Sequence, residues 1–394
     1  MRLPITTAFR ETSIPYPALA AILGVLTLLL HQNVLGAVQL SAANPLSISR
    51  PTETLTVRWP DLRRLASDLK PGAIQVREQA TGLPLVSQDV DLNGDGAPDE
   101  LVFQASFAPD QIKIFTIESG QPALATPKVF GRLVPERKDD FAWENDRIAF
   151  RIYGQRLEDE LVSSGVDVWC KRTRSLIVDR WYKLNNYHKD MGEGLDCYSV
   201  GPARGCGGTA ILKDGKLHAS RNFTKSRIIA GGPIRFIFEL TYEPWDAGGL
   251  KVAENKRITL DAGQNLNRFD CTFTSEPDAA ELPVAIGLQQ HGQVQTVIQS
   301  EAGWMRVWEA TADKAAGKLG VGLVIDPGGG AELKEALGHA LAVVRATPGM
   351  PIVFFAGAGW EKSGDFPAVE SWDEYLSQFA RRVRSPLRIS ISKP

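Results

Sequence analysis

Reactive side chains are concentrated in the run Tyr187-His188-Lys189-Asp190-Met191-Gly192-Glu193-Gly194-Leu195-Asp196-Cys197-Tyr198. Tyr187 and His188 can exchange protons, and Glu193 and Asp196 can accept a hydroxyl or act as a base. Six of the 17 residues from Gly192 to Gly208 are glycine. Glycine costs ordering entropy and adds little to a core strand. Function concentrates on loops carried by a rigid scaffold. The segment is therefore read as a site where backbone approaches a polar ligand. A glycine-rich crossover between strands would have the same composition.

The chemistry that fits these residues is sugar chemistry. Elimination from a uronic acid needs a cation beside the carboxylate and a base for the C5 proton. Tyr187, His188 and Asp196 are expected at the reacting centre, with His291 as a further acid–base candidate. Arg204 is the expected cation, with Arg151 and Arg156 as alternatives for bidentate pairing. Epimerisation needs an acid–base pair across the ring, which His188 or His291 could form with a carboxylate. Hydrolysis needs two carboxylates at one bond, and Asp190, Glu193 and Asp196 are available. Ser199 lacks the G-x-S-x-G elbow, so no serine hydrolase is expected.

Glu193, Tyr198, Arg204, Trp304, Trp308 and Trp360 are the expected substrate-binding residues. The chain has nine tryptophans, whose flat faces stack on sugar rings. Trp304 and Trp308 are four apart, so in a strand they share a side. The loop Gly357-Ala358-Gly359-Trp360-Glu361-Lys362-Ser363-Gly364-Asp365 is the expected opposite wall. For His188, His291, Tyr187 and Tyr198 the competing reading is an ordinary hydrogen-bonded structural role.

A separate acidic loop runs from Asp91 to Glu100. Asp91, Asn93, Asp95 and Asp99 fall at loop positions 1, 3, 5 and 9, with Gly96 at position 6. That is the pattern of a calcium loop, in which hard oxygens surround a sharp glycine turn. Position 12 is Val102 rather than a bidentate glutamate, and Glu100 could substitute only in another geometry. An Asp-Gly hairpin is the alternative. Calcium bound here would brace the fold rather than take part in chemistry.

Arg2 and Arg10 precede an apolar run from Ala18 to Leu30, and small residues follow. This pattern describes a secretory signal peptide, with cleavage expected at Ser41-Ala42-Ala43 and Val34-Leu35-Gly36 as the second choice. The expected location is secreted or periplasmic, without a membrane partner once the signal is removed. The formal net charge of -2 argues against a nucleic-acid partner. An acidic oligosaccharide or polysaccharide needs only a few local arginines. Cys170, Cys197, Cys206 and Cys271 allow three full pairings. A Cys197–Cys206 bond would close the glycine-rich loop, and free buried cysteines are the alternative.

Short apolar runs bounded by Gly, Pro, Asp and Asn recur along the mature chain and read as strands. Asp214-Gly215 predicts a hairpin turn. Trp372, Leu376, Phe379 and Val383 are spaced for one helix face. A short helix is predicted within Ala331–Val343, and a strand after Pro386. The expected fold is mainly β, an antiparallel β-sandwich with few short helices. The expected divisions are a signal peptide over 1–43, an N-terminal β region over 44–130 and a large β-sandwich over 131–394, with Gln121–Arg137 as the junction.

Four blocks carry a family resemblance. They are Asp91–Glu100 with Leu101-Val102-Phe103; Tyr187-His188 through Val200-Gly201; Leu260-Asp261-Ala262-Gly263-Gln264 through Phe269; and Ala356-Gly357-Ala358-Gly359-Trp360 through Phe366. Together they resemble a bacterial exported family labelled as a domain of unknown function and associated with degradation of pectin-like, uronic-acid polysaccharides. The resemblance implies a galactose-mutarotase-like supersandwich and a carbohydrate role, and supplies no catalytic residues. The function expected is lyase-type β-elimination on an acidic glycan. The alternatives are a sugar epimerase or glycoside hydrolase, a non-catalytic carbohydrate-binding module, and a structural envelope protein.

Overall fold

The computed structural model describes residues 36–394. The apolar run at 18–30 and most of the expected signal peptide lie outside the described residues. Among these residues the fold is mainly β, built from several antiparallel sheets with three α-helices. No helix among the described residues is long and apolar enough to cross a membrane.

The N-terminal strands form two small sheets. A five-stranded sheet has the order Arg388–Ser392, Val38–Ala43, Ile112–Ser119, Ile74–Glu78, Pro84–Leu85. A three-stranded sheet has the order Arg50–Arg58, Glu100–Phe107, Ser87–Val90. Alternation along each strand turns one side inward, and Leu40, Val57, Phe103, Phe115 and Ile117 form a shared core. Helix α1 (Trp59–Leu65) caps it with Trp59 and Leu62. The strand predicted after Pro386 is present, and it returns to this sheet, pairing Ile391 with Leu40. Ser41-Ala42-Ala43 lies within the first strand, hydrogen-bonded on both edges. Residues 121–128 form neither helix nor strand and lead into the larger sheets.

An eight-stranded sheet dominates the remainder. Its order is Lys225–Gly231, Arg235–Asp246, Lys251–Asp261, Leu266–Glu276, Pro351–Trp360, Lys318–Val324, Trp304–Ala310, Val294–Gln299. Two five-stranded sheets contribute to the same core. One has the order Gly194–Asp196, Asp167–Lys171, Ala149–Ile152, Asp140–Asn145, Val129–Val134. The other has the order Lys216–His218, Cys206–Lys213, Leu282–Gln289, His339–Ala346, Glu332–Ala336. Phe150, Val168, Ile286, Phe238, Phe269 and Phe354 join the three sheets in one apolar cluster.

The predicted helix face is present in α3 (Val369–Arg384), where Trp372, Leu376 and Phe379 are buried. They pack on Trp304, Trp308 and Val324. Asp214-Gly215 makes the predicted two-residue hairpin, with φ of 51° and 70°. The helix predicted within Ala331–Val343 is instead a hairpin of strands Glu332–Ala336 and His339–Ala346. Leu337 and Gly338 at its tip have φ of 54° and 71°. Two successive left-handed residues match the twist of a hairpin and cannot continue a helix. A further helix, α2 (Val178–Leu184), has no periodic signal. Its first turn rests on the buried Glu144 carboxylate, which accepts from the Ile177 and Val178 amides at 2.7 Å and pairs with Lys171 at 2.5 Å.

Candidate functional site

The reactive segment folds along the edge of the first five-stranded sheet. Asp196 ends the edge strand, opposite Trp169. Two of its glycines answer to backbone packing rather than to a ligand. A Cβ on Gly194 would lie 1.9 Å from the Cys170 carbonyl, and one on Gly205 would lie 2.2 Å from that of Val166. Both have positive φ, 128° and 58°. Only glycine takes these positions without a clash.

Beyond Asp196 the chain borders a cleft of about 510 Å³. His188, Asp196, Cys197, Tyr198 and Ser199 line one side. Arg151, Tyr153 and Leu161 contribute as well, together with Ala312 and Asp313. Those last two residues replace the expected wall at 357–365. Gly357, Ala358 and Gly359 lie inside a central strand of the large sheet, and Asp365 is held by Arg147 and Arg174.

Beneath the cleft, one cation faces three acids drawn from neighbouring strands. Arg151 Nη2 lies 2.6 Å from Asp167 and 2.9 Å from Asp196, and Nη1 lies 3.8 Å from Asp140. Trp169, Tyr153 and Tyr187 pack around the guanidinium. Burial works against the charge on Arg151, and the Asp167 and Asp196 carboxylates outweigh it, so its pKa rises. Burial also raises all three acids. Asp140 is pushed up to about 7, Asp167 is raised, and Asp196 is raised well above the usual carboxylate range, helped by Asp167. Burial outweighs the attraction of Arg151 and, at Asp140, of Arg137 as well, which is why all three carboxyls are shifted upward.

His188 stands at the cleft with its side chain 67% exposed. Nδ1 is 3.4 Å from Asp196 Oδ2 and 3.3 Å from the Asp196 carbonyl oxygen. A carbonyl oxygen only accepts, so this geometry favours a hydrogen on Nδ1 and leaves Nε2 as the basic nitrogen of the neutral ring. Tyr187 is placed differently. It is buried, stacks on Trp169 at 4.8 Å, and its hydroxyl accepts from Arg137 Nε at 3.0 Å. It supports the cluster from behind and does not line the cleft.

His291 sits behind the cleft wall. Nδ1 lies 2.6 Å from Glu309 Oε1 and Nε2 lies 2.5 Å from the Ser199 carbonyl oxygen. Both partners only accept, so the geometry suits a ring with both nitrogens protonated. Burial opposes that charge, and Glu309 overrides it, raising the pKa. Tyr198 packs edge-on against His291 at 5.2 Å. His291 therefore positions the 198–201 turn.

The remaining expected binding residues lie elsewhere. Arg204 is buried under the turn and donates to Ser164, Thr209 and Pro202, so it does not reach the cleft. Glu193 pairs with Arg180 and accepts from Trp181, facing away from the cleft. Trp304 and Trp308 do share a side, but that side is covered by α3. Trp360 is buried, donates to the Ala316 carbonyl at 2.8 Å and lies under Arg172. Arg151 was one alternative among the arginines, whereas Asp140, Asp167 and Asp313 had no local signal. They are separate acids that only strand pairing and loop folding bring near the cleft.

At the acidic loop, the side-chain oxygens serve backbone turns. Asp91 accepts from Gly94 and Gly96, Asn93 from Asp95, Asp95 from Ala97, and Asp99 from Leu92. Glu100 lies 3.7 Å from Arg235. Among the described residues, no group of three or more His, Cys, Asp or Glu side chains is gathered for a metal.

These features define a multi-sheet β-sandwich protein with a titratable cleft at a sheet edge. The chain belongs to the family described as Domain of unknown function (DUF4861), whose model matches residues 42–389. It is 32% identical over 378 residues to "Uncharacterized protein P7" of Formosa agariphila, covering 89% of this chain and 93% of that one. It is also similar in fold to the crystal structure of a protein in glycosyl hydrolase family 38 from Enterococcus faecalis. That likeness has a TM-score of 0.52 at 12% identity and covers 91% of this chain. The chain spans 48% of that protein, and at this identity the likeness concerns the fold alone.

Proposed function

We propose that this protein is a carbohydrate-active enzyme that performs β-elimination on a uronic-acid-containing oligo- or polysaccharide at the His188–Asp196 cleft. The observation that carries this reading is the Asp196 carboxyl, burial-raised yet bordering the cleft, 3.4 Å from the exposed His188 ring. In the neutral ring, His188 Nε2 acts as the base for the C5 proton. Protonated Asp196 donates a hydrogen bond to the substrate carboxylate, neutralising it as negative charge develops. In this reading the Asp196 proton takes the place of the cation expected from the sequence, because Arg151 is already engaged by carboxylates.

Pectin-like polymers are the proposed substrate class, in keeping with the family resemblance of the four sequence blocks. The galactose-mutarotase-like supersandwich is our inference for the fold, supported by the eight-stranded sheet and the two five-stranded sheets that share its core. A secreted or periplasmic location is proposed from the N-terminal pattern. Incubation with pectin, rhamnogalacturonan or ulvan-like substrate tests the reaction, because the unsaturated uronide product absorbs in the ultraviolet. Binding without product would instead favour a carbohydrate-binding module.

Hydrolysis is the second reading, favoured by one observation: Asp313 and Asp196 border the same cleft. Two carboxylates flanking one bond are the requirement for that reaction. New reducing ends without ultraviolet absorbance would select it.

Calcium at Asp91, Asn93, Asp95, Asp99 and Glu100 is proposed as a structural ion, on the spacing of those oxygens. A chelator should lower the melting temperature, and an unchanged value would remove calcium from the account.

A further inference from the structure

All four cysteines are free, and Cys197 lies against Cys170 rather than Cys206. Cys206 is fully buried and its Sγ is 3.2 Å from the Gly357 carbonyl oxygen. Cys197 instead faces Cys170, Sγ to Sγ at 3.5 Å. Strand register explains the approach. Cys170 pairs with Leu195, and Cys197 lies two residues further on. Alternation turns 170, 195 and 197 to one side of the sheet.

We propose that Cys170 and Cys197 are an oxidisable pair that closes to a disulfide at the cleft wall. Bond formation requires the sulfurs to approach by about 1.5 Å, within the reach of side-chain rotation and small backbone adjustment. The two thiols differ in access. Cys170 is sealed in the core, and burial pushes its thiol up. Cys197 is part-exposed and borders the cleft.

The chemistry is thiol–disulfide exchange with a small disulfide or an oxidised dithiol protein. Cys197 loses its proton, and its thiolate attacks one sulfur of the oxidant. The oxidant's S–S bond breaks and one thiol leaves. The Cys170 sulfur then attacks Cys197 Sγ, and its proton passes to the departing thiolate. The mixed disulfide breaks, and the second thiol of the oxidant is released. Two protein thiols are oxidised and one external disulfide is reduced.

The bond would tie the strand Asp167–Lys171 to the residue that follows Asp196. It would therefore fix the acid of the cleft relative to Arg151 and Asp167. Cys206 and Cys271 are buried and remain reduced.

The test uses the full chain, oxidised with glutathione disulfide, quenched, denatured and alkylated. The expected result is two modified cysteines, 206 and 271, and a proteolytic peptide joining 170 to 197. Modification of all four cysteines, or a peptide joining 197 to 206, would overturn the proposal. Cys170→Ser provides a second readout in the folded protein. Cys197 in that variant should stay mixed with glutathione, because no second thiol can release it. Loss of the glutathione adduct without added reductant would argue against Cys170 as the resolving thiol. Neither measurement depends on glycan turnover, so this pairing and the proposed activity can fail separately.

Discussion

His188 and Asp196 share a cleft yet differ in what they contribute to the fold. The His188 ring is largely in water, and its close polar partners among the described residues belong to Asp196. His188→Ala should abolish turnover and leave the melting temperature nearly unchanged; a large loss of stability would mark a structural histidine. His291 has the opposite profile, because its charge bridges Glu309 and Ser199. A folded pKa raised above the usual value means that its contribution is full below about pH 6.5 and is lost as pH rises through the folded pKa. The stability gap between the protein and His291→Ala should therefore be larger near pH 5.5 than near pH 9. A gap independent of pH would show that the imidazolium does not hold the turn. Much of this chemistry is readable locally, since His188, Asp196 and Tyr198 lie within one short segment. The acid that shifts Asp196 is not, because Asp167 reaches it only through pairing with the neighbouring strand.

Helix α3 demonstrates what periodicity can reveal. Its apolar residues recur at helical spacing, and the structure buries that stripe on Trp304 and Trp308. Trp372 is fully buried at the centre, stacked on Tyr375 at 5.3 Å and edge-on to Phe366 at 4.9 Å. Trp372→Ala should cost about 3–5 kcal/mol in urea denaturation; a loss below about 1 kcal/mol would mean that the helix is dispensable to the sheet. The 331–343 segment shows the limit of the same method. Leu333, Ala336 and Ala340 are apolar at helix-compatible spacings, but cross-strand pairing and the left-handed turn at Leu337-Gly338 prevail. Helices α1 and α2 are too short for periodicity to register. The polar groups that seat α2, Glu144 and Lys171, lie on separate strands. The tryptophans were misleading as sugar platforms for a related reason. Identity and spacing do not reveal that α3 covers Trp304 and Trp308, or that Trp360 lies under Arg172.

If the proposed signal peptide is removed, strand pairing constrains where the cut can fall. Cleavage after Ala43 would remove a strand that is bonded on both edges, whereas cleavage beside Gly36 would spare it. A protein beginning at Asn44 should melt several degrees below one beginning at Ala37, and the mature N-terminus should map upstream of Val38 by mass spectrometry. Equal melting temperatures would show that this strand adds nothing. The antiparallel pairing of Gln39–Ala43 with Arg388–Ser392 has a further consequence for biogenesis. During synthesis, the Val38–Ala43 strand must wait for residues 388–392 to be translated before its outer edge is satisfied. Closing so long a loop is entropically costly and slow. The nascent polypeptide thus stays incompletely zipped until those residues emerge, which extends the interval in which a chaperone can engage it.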